Sequence, residues 1–239
     1  MRALMLTLWG GLVVAALVGG LLIWGELIAQ RASYRFRVTV DVATPAGLRS
    51  GSSVYEVAAR YRADLQPGGK KREWVVRGEA VAVTLPNGRT LLALLRTRAA
   101  HEDLAGMSMN ALDPRFRNDV VESAHRLSNG AGVRDVAAVA LGDYPLMVTF
   151  RDRGDPMSIV EVDPTNSAAS LGAGMHVRGV AVARTDAPVT DELVRHLDDP
   201  FWQRWAKASR HVKNMDRTKG ESSATHLLRT LFQGDFARR

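Results

Sequence analysis

Tyr34-Arg35-Phe36-Arg37-Val38-Thr39-Val40-Asp41-Val42 alternates without a break, with apolar side chains at the even numbers and polar ones at the odd. Successive side chains of a strand point to opposite faces, so this stretch predicts a half-buried strand whose wet face carries Arg35, Arg37 and Asp41. Turn formers fill Thr44-Pro45-Ala46-Gly47-Leu48-Arg49-Ser50-Gly51, and from Ser53 to Tyr61 the alternation returns with Ser53, Tyr55, Val57, Ala59 and Tyr61 on one side. The two strands should pair as a hairpin or meander. Further along, Trp74 to Leu85 and Arg89 to Thr97 flank Pro86-Asn87-Gly88, where Asn-Gly supplies the positive φ angles of a tight hairpin.

The middle of the chain predicts one helix of about four turns. Asp113 stands where a cap would, Pro114 suits a first helical position, and Phe116, Val120, Ala124 and Leu127 recur at helical spacing up to Asn129-Gly130. Strands are expected again at Tyr144 to Arg151, Ser158 to Val162 and Met175 to Arg184, with a small helix after Asp163-Pro164. The fold class is therefore α+β, a mainly antiparallel β-rich domain with a few helices.

The 239 residues hold 32 Lys+Arg against 25 Asp+Glu, 46% hydrophobic residues and no cysteine. A chain that is 24% charged with this apolar content can bury a core, and is neither a low-complexity tail nor a fibrous rod. Without cysteine there are no disulfides, thiolate zinc sites, iron–sulfur clusters or thiol nucleophiles.

Ahead of the first strand, the 23 residues from Ala3 to Gly25 carry no charge. As a helix they would rise about 34 Å, enough to cross a hydrocarbon core of about 30 Å. The run exceeds the apolar part of a cleaved signal peptide and exits through Glu26-Leu27-Ile28-Ala29-Gln30-Arg31, so an uncleaved anchor is expected. Trp9 and Trp24 sit near its ends, as indoles do at a membrane interface. Gly11, Ala15 and Gly19 fall four apart, a small-residue stripe that would let two membrane helices approach. The excess of arginine after the run would keep the globular part in the cytoplasm, whereas a short charged N-terminus before a long apolar run starts many signal anchors and long domains translocate largely regardless of charge. The expected side is the periplasm of a bacterial inner membrane.

The segments Phe36 to Val42 and Gly47 to Val54, the block Gly78-Glu79-Ala80-Val81-Ala82-Val83 and the stretch Tyr144 to Phe150 resemble a group of proteobacterial membrane-anchored proteins without assigned activity. The resemblance implies anchorage and a bacterial source, and brings no catalytic residues.

From Phe201 onward nine Lys/Arg face three acidic residues, which is six of the seven net positive charges. Asp199 and Pro200 can open a helix with Phe201, Trp205, Ala208, Val212 and Met215 as a stripe and Arg204, Lys207, Arg210 and Lys213 elsewhere on its surface. Such a basic amphipathic helix could dock on its own domain, lie on anionic lipid head groups with Phe201, Trp202 and Trp205 in the interface, or meet nucleic acid phosphates, the last being the least supported. Leu227, Leu228, Leu231 and Phe232 offer a second short apolar face.

No catalytic, metal or cofactor constellation stands out. The six histidines are scattered, and Asp152, Asp155, Glu161 and Asp163 lack the spacing of a calcium loop and read as turn acids. Gly106-Met107-Ser108-Met109-Asn110 lacks the last glycine of a nucleophile elbow. A hydrolase would have to recruit Ser50, Ser52, Ser53 or Ser108 to a distant histidine. The expected organisation is an anchor over 1–30, an α+β domain over 31–199 and a basic helical tail over 200–239. The expected role is a binding or scaffolding protein of the cell envelope, with the lipid bilayer, a second copy or an envelope protein as partner.

Overall fold

A computed structural model describes residues 31–63, 70–98, 104–191, 199–214 and 222–238. The chain is α+β, with two mainly antiparallel sheets and few helices. The alternating stretch lies within β1 (Arg31–Thr44), whose odd-numbered residues from Arg31 to Arg37 are exposed while Phe36, Val38, Val40 and Val42 are fully buried. The tight turn at Pro45 and Ala46 returns the chain as β2 (Gly47–Ala63) in register from Thr44 opposite Gly47 to Arg31 opposite Arg60. β3 (Lys70–Glu79) pairs antiparallel with the second half of β2.

The predicted hairpin from Trp74 to Thr97 is divided between the two sheets. Gly78 has φ +139°, and a Cβ there would lie 2.6 Å from the Tyr55 ring, so this position admits only glycine without a shift. Next to it Ala80 donates its N–H to the Phe236 carbonyl at 2.7 Å. The chain then enters a second sheet as β4 (Val81–Thr84), which pairs through the Asn-Gly turn with β5 (Thr90–Thr97). The central helix is also shorter than the spacing predicts. One helix, α1 (Leu104–Leu112), precedes Asp113, and a second, α2 (Val120–Asn129), follows it. Asn118 at φ 65° interrupts the run, and Asp119 takes the capping role by accepting the N–H groups of Val121 and Glu122. Asp113 is instead a buried carboxylate that accepts from Ser123 Oγ at 2.7 Å and from the Arg126 guanidinium at 2.7 and 2.9 Å.

The remaining elements are β6 (Val136–Ala138), β7 (Pro145–Phe150), β8 (Ile159–Glu161), α3 (Ala168–Leu171), β9 (His176–Arg184), α4 (Asp199–Lys213), α5 (Ser223–Thr230) and β10 (Ala237–Arg238). Strand order is β10-β3-β2-β1-β9-β6 in the larger sheet and β4-β5-β7-β8 in the smaller. All six residues of β7 are buried, as expected of a strand covered on both faces. The inner face of the larger sheet, α1, α2 and the smaller sheet share one core.

The segment from Asp199 onward adds to that core. Phe201 and Trp205 are 3% and 4% exposed, and their rings surround Phe150 and Phe236 at centroid distances of 5.2 to 6.4 Å. Leu227, Leu228 and Leu231 are buried as the second apolar face requires, whereas Phe232 is 60% exposed. Asp235 pairs with Arg96 at 3.7 Å and accepts the Phe232 N–H at 2.8 Å, and β10 adds to the edge of β3 at Gly78 and Glu79.

The two sheets cross closely where β2 meets β4. A Cβ on Gly51 would stand 2.2 Å from the Ala82 carbonyl oxygen, a backbone atom that cannot swing aside. Gly51→Ala should therefore destabilise the protein by about 1–3 kcal/mol, the range of overpacked sites, as read by urea unfolding in mild detergent. A variant as stable as the parent would show that the sheets part there without strain.

Candidate binding face

Helices and the smaller sheet cover the inner face of β1, β2 and β3, while the outer face carries Arg31, Ser33 and Arg35 from β1, Glu56, Ala58, Arg60 and Arg62 from β2, and Lys71, Glu73, Val75 and Arg77 from β3. Cross-strand register sets these in rows. Ser33, Ala58 and Val75 form a row of small and apolar side chains, with Val75 54% exposed. On one side of it lie Arg31, Arg60 and Glu73, and on the other Arg35, Glu56 and Arg77.

A trough of about 560 Å³ follows the apolar row, with Trp74 at its margin, 42% exposed. Its walls are ionic. Glu73 receives Arg60 at 2.8 Å and Arg62 at 3.2 Å, and these hydrogen bonds hold its carboxyl below the ordinary range. Across the row, Glu56 lies 3.8 Å from Arg35 and 3.7 Å from Arg77. Such exposed pairs add little stability, so their main effect is to fix the side chains around the trough. Residues beyond β9 bond to the same sheet: Thr185 donates its N–H to the Arg35 carbonyl, and Thr190 exchanges hydrogen bonds with the Val54 backbone. A smaller cleft of about 370 Å³ lies near the end of α2, lined by Arg35, Glu56, Asp135, Arg184 and Asp186, with Arg184 on Asp135 at 3.1 Å.

Three of the four serines that a hydrolase would recruit are bonded to other groups or buried. Ser108, the centre of the elbow-like sequence, is buried in α1, where it bonds the Tyr34 hydroxyl at 2.7 Å and donates to the Ala105 carbonyl at 2.9 Å. Ser50 donates to Asp41, and Ser53 is buried. Tyr61 donates to Asp119 at 2.8 Å; burial and this hydrogen bond push its hydroxyl up to about 12, so it stays neutral at physiological pH. Asp152, Asp155 and Asp163 each accept a backbone N–H two residues on, as turn acids do, and Glu161 pairs with Arg98 at 2.8 Å. Among the described residues no group of three His, Asp or Glu side chains could hold a metal ion.

The sequence-predicted positions are dispersed. Trp9 and Trp24, and the stripe Gly11, Ala15 and Gly19, lie outside the described residues, and no helix among the described residues is long and apolar enough to cross a membrane. Phe201 and Trp205, candidates for a membrane interface, are core residues instead, because the aromatic pocket of Phe150 and Phe236 covers them. Trp202 is half-buried against Phe201 and Phe236. Arg204, Lys207, Arg210 and Lys213 are exposed, and Lys213 stands 4.9 Å over the Phe232 ring. None of the described ones lines the trough. Its residues escaped the sequence reading, although the wet positions of the alternating stretches were the signal that could have located them. No family model, no curated protein and no solved structure matches the chain.

Proposed function

We propose that the protein is a single-pass membrane-anchored protein of the bacterial cell envelope, whose α+β domain binds or scaffolds a partner on the open face of β1, β2 and β3. The observation that carries this reading is the uncharged run from Ala3 to Gly25, six positions short of a sheet with a solvent-facing trough at its start. An apolar floor within an ionic rim is how protein interfaces are built, since the floor supplies the burial and the rim the orientation. The globular part is assigned to the periplasmic side and the run to the inner membrane.

Two measurements test it. After carbonate extraction of membranes the chain should remain in the pellet, and a reporter fused after Arg239 should be active only outside the cytoplasm; release into the soluble fraction would end the anchor reading. For the trough, the cysteine-free chain permits a single Ala58→Cys label carrying a short cross-linker. A discrete adduct from that position in cells, absent from a label at Asn87→Cys, is expected, and equal yields at the two positions would remove the trough as the binding face.

A further inference from the structure

We infer that the anchor-proximal end of the larger sheet is a docking surface for anionic lipid head groups, formed by Arg31, Arg60, Arg62, Lys71 and Arg72. The inference rests on the proposed anchor and adds what the domain does once tethered.

Chain connectivity sets where this end can be. Arg31 begins β1 six positions after Gly25, the last residue of the uncharged run. Six residues span at most about 20 Å, so an embedded run keeps Arg31 within that distance of its own end. Strand register then brings in residues remote in sequence: Arg60 lies opposite Arg31, Lys71 opposite Arg62, and Arg72 opposite Tyr61. The last turn of pairing in β2 and β3 is therefore at the same end of the molecule as the tether. The other end of β1, at Thr44, is about 45 Å away along the strand.

Charge is uneven at the near end. Among the described residues these five cations stand against Glu73, shared by Arg60 and Arg62, and against Asp119 and Glu122 beside Tyr61, of which Asp119 lies within the field of Arg72 and Glu122 pairs with Arg126. Arg31, Arg60, Arg62, Lys71 and Arg72 are all exposed, with the Arg62 side chain 67% accessible. Arg72 also donates to the Asn118 carbonyl at 2.6 Å, which holds its stem against the loop before α2. A cation close to an anionic bilayer favours the docked state about fivefold, so a cluster of this size outweighs the freedom of a short tether. Fully embedded aromatics are not needed, because the anchor already supplies the apolar term and the cations have only to set the domain's tilt.

The test uses the full chain made by cell-free synthesis with vesicles of phosphatidylcholine alone or with about one third phosphatidylglycerol. Flotation reads the anchor. Energy transfer from a donor on Ala58→Cys to a headgroup acceptor reads the docking. Expected is flotation with both vesicles, with transfer higher on the anionic ones and lost in about 1 M salt, where screening shrinks to about 3 Å. Combining Arg31→Gln, Arg62→Gln and Lys71→Gln should lower the docked-to-undocked ratio about a hundredfold. Flotation with both vesicles and transfer that ignores lipid charge and salt would overturn the docking and leave the anchor intact. Flotation with anionic vesicles alone would support the charged surface and overturn the anchor, and flotation with neither would overturn both.

Discussion

Removal of residues 199–239 is expected to unfold the α+β domain. The reason is area. Phe201, Trp205, Val212, Leu227, Leu228, Leu231 and Phe236 are each 4% exposed or less. A buried side chain of this kind contributes about 1.5–3 kcal/mol, and a domain's whole stability is about 5–15 kcal/mol, so losing seven exceeds what the rest can offset. The deletion also uncovers Phe150, strips β10 from the edge of β3, and leaves Arg96 without the Asp235 carboxylate. The check is limited proteolysis and circular dichroism of the full and shortened chains in the same detergent. A shortened chain with an unchanged unfolding midpoint would show that residues 199–239 are an appendage after all.

Asp113→Ala should cost about 3–5 kcal/mol, the usual penalty for removing one partner of a buried ion pair. The Asp113 side chain is inaccessible and that of Arg126 is 13% exposed, so the substitution takes away the carboxylate that Arg126, Ser123 and the Arg115 N–H share, and leaves Arg126 with Glu122 as its acidic partner. Burial alone would raise the Asp113 carboxyl, but hydrogen bonds from Arg126, Ser123 and the Arg115 backbone outweigh it and hold the group below its ordinary value. A carboxylate depressed in the folded state contributes stability above its unfolded value, near 3.8, and that contribution is lost as pH falls through the folded value. The stability gap between the parent and Asp113→Asn should thus be widest near neutrality and close in acid, as read by urea midpoints. A gap that does not change with pH would mean the pair is not what the charge supports.

Parts of this molecule are legible in sequence because they are periodic. The perfect alternation over Tyr34 to Val42 fixes which side chains of β1 are wet, and the continuation through Ser53 to Tyr61 does the same for β2. The helix α1 is not legible for the opposite reason. Leu104, Ala105, Met107, Ser108, Met109, Ala111 and Leu112 are all buried, so no polar face marks a period. The division of the stretch from Trp74 to Leu85 between two sheets is equally silent, since the backbone N–H of Ala80 is satisfied by Phe236 near the other end of the chain. The trough was hidden for a related reason: Ser33, Ala58 and Val75 become neighbours only when three strands align.

By itself the sequence determined the α+β class, the two faces of the first hairpin and the amphipathic stripe of α4. Tertiary structure alone decided what each face meets: that Phe201 and Trp205 close a core with Phe150 and Phe236, and that among the described residues the outer face of β1, β2 and β3 stays uncovered. The physical reason is that side-chain period is a local property of the backbone, whereas the partner of an apolar face is chosen by the total area the whole chain can remove from water.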